Sequence, residues 1–98
     1  MIALLRLLAK VFDKIAERDR DLAQQGRNAG ASVALNVAEG SGVRAGNRRL
    51  RYETALGSAL EVRAVLDIGE SLGYVVVTTE VRGMLGHVIA VLVKCTKR

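Results

Sequence analysis

The 98-residue sequence predicts an all-α fold, one domain over residues 1–98 arranged as an up-down-up-down four-helix bundle. Three observations point there. Half of the residues are apolar but only three are aromatic, so the core must be built from Leu, Val and Ala, which suits packed helices better than a β-sandwich. No proline is present to interrupt a helix. Apolar residues recur at gaps of three and four through most of the chain.

The first segment, Ile2 to about Arg18, places Leu4, Leu5, Leu8, Val11, Phe12 and Ile15 on one helical face, with charged residues opposite. The second, about Asp21 to Glu39, can be capped by Asp19 or Asp21. Its face is small: Leu22, Gly26, Ala29, Gly30, Val33 and Val37. Each glycine weakens an isolated helix by ~1 kcal/mol relative to Ala, so close approach of a neighbouring helix is the expected compensation. Ala31, Ala34, Leu35 and Ala38 form a second apolar strip on another side. Gly40 is expected to end this helix as a left-handed residue. Ser41 to Gly46 then forms a short loop, and Asn47 caps a third helix reaching about Leu72.

The third helix carries a stripe of Ala55, Ser58, Ala59, Val62, Val65, Leu66, Gly69 and Leu72, close to a heptad seam. Leu56, Leu60 and Ile68 lie off that stripe and would face water in a monomer, so they read as an oligomer surface. The segment YVVVTTEV has strand-like β-branched content, but one short strand builds no sheet. It reads as a helix end followed by an extended linker. Thr78 or Thr79 then caps the last helix, whose apolar face is Val81, Met84, Leu85, Val88, Leu92 and Cys95.

Several function classes find no support. Cys95 is the single cysteine and cannot form an internal disulfide, which fits a reducing, cytoplasmic setting. The start, MIALLRLLAK, lacks a basic leader region, and the apolar run HVIAVLV is far shorter than the ~20 residues that span a bilayer, so neither secretion nor membrane insertion is expected. His87 and Cys95 have no second ligand at usable spacing, and no nucleophile triad, P-loop or dinucleotide turn is present. Gly83-Met84-Leu85-Gly86 matches GxxG but falls inside a helix, whereas a nucleic-acid clamp of that kind must be a loop. No enzyme activity, metal or cofactor is expected.

Two features remain. Asn36 and Glu39 interrupt the small apolar run ASVALNVAEG, and a carboxylate in the last turn of a helix opposes its dipole. Asn36, Glu39 and Ser58 are therefore expected to form a polar clamp that fixes the turn between helices two and three. Arg44 or Arg48 would pair with Glu39, and loss of the buried carboxylate would cost ~1–3 kcal/mol. The second feature is charge. Arg44, Arg48, Arg49 and Arg51 fall within eight residues, and Lys94, Lys97 and Arg98 close the chain. Those seven exceed the whole net charge of +5, so the rest of the chain is net acidic. Basic charge gathered in two places suits a phosphate-binding surface.

The stretches NAGASVALNVAEGSG and YETALGSALE carry a resemblance. Ser32, Asn36, Val37, Ala38, Glu39 and Gly40, then Tyr52, Ala55, Gly57, Ser58 and Glu61, resemble the signature of the 23S rRNA intervening-sequence proteins. That four-helix-bundle family also includes the accessory variability proteins of diversity-generating retroelements. The likeness covers about residues 22 to 75. The link ERDRDLAQQG departs from relatives that have a Pro- and Phe-bearing link there, and Arg27-Asn28 replaces a basic pair. The resemblance implies a ring-shaped homo-oligomer, commonly a pentamer, with no known enzyme activity. Its retroelement branch implies adaptors that bind a reverse transcriptase and nucleic acid. Two functions are thus expected to compete. One is a nucleic-acid-binding adaptor contacting RNA or DNA backbone through Arg44, Arg48, Arg49 and Arg51. The other is an assembly subunit with no nucleic-acid role.

Overall fold

Four α-helices account for nearly the whole molecule in the computed structural model, which describes residues 1–42 and 45–97, with the backbone alone at 45 and 46. They are α1 (Ile2–Ala16), α2 (Arg20–Ser41), α3 (Ala45–Ser71) and α4 (Thr79–Thr96). No strand occurs among the described residues. α1 packs on α2, α2 on α3 and α3 on α4, while α4 touches α1 more sparsely. Each sequential pair is antiparallel, because contacts join the end of one helix to the start of the next: Asp13 to Arg27, Glu39 to Arg51, and Asp67 to Arg82. The longest extent is 42 Å, close to the ~40 Å that the 27 residues of α3 require.

The core follows the apolar periodicity. Leu4, Leu8, Phe12 and Ile15 from α1 meet Leu22, Ala23, Ala29 and Val33 from α2. Ala55, Ala59, Val62, Val65 and Leu66 from α3 and Val81, Leu85 and Leu92 from α4 complete it. Gly26 explains itself here. A Cβ on it would lie 2.4 Å from the ring of Phe12, so the aromatic ring occupies the place of the missing side chain.

Helix ends depart from the sequence reading in two places. Gly40 does not terminate α2. It lies within the helix, buried, with the Tyr52 ring 2.6 Å from where its Cβ would stand. The helix continues to Ser41 and ends at Gly42, whose φ of −101° is not left-handed. The left-handed glycine is instead Gly73, at φ 75°. There the Tyr74 N–H donates to Gly69 O and the Gly73 N–H to Glu70 O, a paired arrangement that closes α3. Asn47 is not a cap either, since α3 is already helical at Ala45. Asp19 caps α2 by accepting from Leu22 N at 2.9 Å, and Thr78 caps α4 by accepting from Val81 N at 3.2 Å.

After the turn at 72–74 the linker over 75–78 is free of helix, and it is latched to both helices it joins. Glu70 accepts from Val77 N at 2.9 Å through one carboxylate oxygen and from Arg82 at 2.6 Å through the other. Arg82 also reaches Asp67 at 2.7 Å. The Val77 N–H, then the Arg82 guanidinium, hold the Glu70 carboxyl below its ordinary value of 4.5. A depressed folded-state pKa contributes stability above the unfolded value and loses it as pH falls through the folded one. Melting temperature should therefore fall as pH drops below about 4.5, and Glu70→Gln should flatten that limb; equal acid limbs in thermal scans from pH 7 to 3 would contradict the latch.

Candidate nucleic-acid interface

The polar residues of the second helix form a surface seam rather than a buried clamp. Ser32 Oγ and Ser58 Oγ lie 2.7 Å apart across the α2–α3 contact. Asn36 donates to Ser32 O at 2.9 Å and to Ser32 Oγ at 3.3 Å. It thereby fixes Ser32 and does not tie the loop backbone. Glu39 pairs with Arg51 at 3.1 Å, not with Arg48; Arg44 lies outside the described residues. The physical reason is register: antiparallel packing sets Glu39 beside the α3 turn that carries Arg51. The expectation of a buried carboxylate is corrected too. Glu39 and Arg51 side chains are 52% and 49% exposed, so the pair stabilises by no more than ~1 kcal/mol.

The remaining arginines are also held by named partners. Arg48 Nε donates to Gly40 O at 3.1 Å, bridging the end of α2 to the start of α3. Arg49 Nε is buried 3.1 Å from Glu53 Oε1, a contact of opposite charges without hydrogen-bond alignment. Its Nη2 donates to Thr96 O at 3.2 Å. That last bond joins the start of α3 to the final turn of α4. Arg49 thus stands beside the last turn of α4, which carries Lys94, with Lys97 just past its end. Arg49 faces Glu53 there, while Arg51 pairs with Glu39 on α2.

The proposed oligomer residues do not behave alike. Leu60 and Ile68 are 39% and 46% exposed. Leu56 does not stand open to water as they do: it is half-buried, packed against the core. The second strip of α2 is open, with Leu35 62% exposed and Ala31 and Ala38 exposed beside it. The sequence reading missed an apolar groove between α4 and the neighbouring helices, lined by Met1, Val37, Tyr52, Val88, Val91 and Cys95 among others.

Among the described residues no group of three or more His, Cys, Asp or Glu side chains could hold a metal ion. No helix formed by them is long and apolar enough to cross a membrane. Geometry thus defines a class: a small all-α protein of four antiparallel helices with a basic end. The statistical model of the family described as 23S rRNA-intervening sequence protein matches residues 3–94, and the chain belongs to that family. No curated protein and no solved structure matches it.

Proposed function

We propose that this chain is a non-enzymatic adaptor whose basic end binds the phosphate backbone of nucleic acid. The observation that carries the reading is the Arg49–Thr96 bond, which brings the arginine-rich start of α3 against the last turn of α4. Arg48, Arg49 and Arg51 lie in the first two turns of α3, and Lys94 lies in the last turn of α4 that Arg49 reaches. The Arg51–Glu39 pair is solvent-exposed and weak, so a phosphate can displace the carboxylate at little cost. Contacts of this kind are led by charge and read sequence poorly. Resemblance to the family implies a ring-shaped homo-oligomer, pentameric by preference, which would repeat the basic end around an axis and present it to a reverse transcriptase; the single cysteine fits a cytoplasmic setting.

A mobility-shift titration with structured RNA and with duplex DNA tests the reading. Arg48→Ala/Arg49→Ala should weaken binding by ~10-fold or more to both, without sequence preference. Absence of any shift at low salt would contradict it. A second reading, an assembly subunit without nucleic acid, is favoured by the exposed α2 strip and the apolar groove.

A further inference from the structure

We propose that Arg49 couples phosphate binding to the end of α4: a phosphate that takes its guanidinium releases the last turn of that helix. The inference rests on the phosphate-binding reading and adds a conformational response to it.

The guanidinium of Arg49 is already divided between two partners. Its Nη2 donates to Thr96 O at 3.2 Å. Its Nε is buried, 3.1 Å from Glu53 Oε1, although the side chain as a whole is 34% exposed. Two-point pairing of a guanidinium with a phosphate uses either the edge made by Nε and Nη2 or the edge made by Nη1 and Nη2. Burial of Nε closes the first edge. The second includes Nη2, the nitrogen bonded to Thr96. A phosphate seated there competes with the Thr96 carbonyl for the same donor.

The turn at stake has no anchor in the core. Leu92 is the last buried residue of α4, and Val93, Lys94 and Cys95 are exposed. Lys97 is extended, with φ −65° and ψ 142°, so the helix does not wind on past Thr96. Carbonyls in a last helical turn have no partner within the backbone ladder. Thr96 Oγ1 donates to Leu92 O at 2.9 Å and to Val93 O at 3.2 Å, but those bonds lie inside the turn and are lost with it. The bond from Arg49 crosses to α3 and brings a positive charge to the negative end of the helix dipole. Because the core contacts of α4 stop at Leu92, losing that bond frays one turn and leaves the bundle folded. The coupling is reciprocal: a contact that holds the last turn in place weakens phosphate binding, and one that loosens it strengthens binding.

Hydrogen exchange of the full chain, alone and with saturating duplex DNA, reads the release at amides 93–96. Exchange is expected to slow at the start of α3 and to rise ~3-fold or more at 93–96, the loss of one modest hydrogen bond. Simple covering by DNA would slow both. Arg49→Ala, checked for folding by circular dichroism, should show the fast exchange at 93–96 without DNA, and DNA should not raise it further. Arg51→Ala, whose side chain pairs with Glu39, should keep the slow DNA-free exchange of the wild type. Mobility shifts in the same buffer keep two failures apart. No shift at low salt ends the phosphate-binding reading and this inference with it. A shift with unchanged or slower exchange at 93–96 overturns the release alone, as does DNA-free Arg49→Ala that exchanges there like the wild type.

Discussion

Phe12→Ala is expected to destabilise the protein by ~3–5 kcal/mol, the range for removing a buried aromatic side chain. Phe12 is 2% exposed and fills the notch left by Gly26 across the α1–α2 contact. The α2 backbone at Gly26 floors that notch and cannot collapse into the space left behind. For a domain of this size each kcal/mol is worth several degrees, so Tm should fall by ~10 °C or more. The reciprocal change carries the same logic. Gly26→Ala gains ~1 kcal/mol of helix propensity but puts its Cβ 2.4 Å from the ring. The ring is locked in the core, so the overlap should outweigh the gain and destabilise by ~1–3 kcal/mol. Combining Gly26→Ala with Phe12→Leu should recover part of both losses, since each relieves the other. Strict additivity in a thermal-melt double-mutant cycle would show that the two residues do not share a contact.

Gly40→Val should destabilise by ~1–3 kcal/mol for a related reason at the other end of α2. A Cβ at Gly40 meets the Tyr52 ring at 2.6 Å, and Gly40 also offers the carbonyl that Arg48 bonds. Displacing the ring would disturb the start of α3, where Arg48, Arg49 and Arg51 are presented. The variant should therefore lose stability and nucleic-acid affinity together, whereas Arg51→Ala, which removes only an exposed ion pair with Glu39, should lose mainly affinity. Thermal melts read beside mobility shifts separate the two, and an unchanged melt for Gly40→Val would remove the packing argument.

These two glycines also mark where the sequence could and could not be read. Gly26, in the middle of a periodic segment, signalled a close neighbour, and Phe12 fills that role. Gly40, next to Ser41-Gly42, looked like a stop because a glycine at a helix end and a glycine under an aromatic ring leave the same local trace. Only the α2–α3 register tells them apart, and that register depends on a contact between residues 26 apart, Ser32 and Ser58. The partner of Glu39 was obscure for the same reason. Arg44, Arg48 and Arg51 are similar cations at similar distances along the chain, and the choice among them is tertiary. Leu56 is half-buried where the pattern along α3 alone puts it in water, because the packing of the neighbouring helices widens the apolar stripe. The four helices, most core positions and the helix-free linker needed no such information, since the spacing of Leu, Val and Ala along each segment sets its inward face. The meeting of the arginine cluster with the last turn of α4 was not legible at all, because nothing in either stretch encodes the bond from Arg49 to Thr96.

The central claim is that this joined basic end binds phosphates by charge. Its most direct test is the salt dependence of the binding constant for duplex DNA, measured on the wild type and on Arg48→Ala/Arg49→Ala. Each phosphate neutralised contributes a slope of about −0.9 in log K against log salt. The wild type should give a slope of about −2 or steeper, and the variant one shallower by roughly 1–2. A wild-type slope near zero, or the same slope in both proteins, would contradict the account.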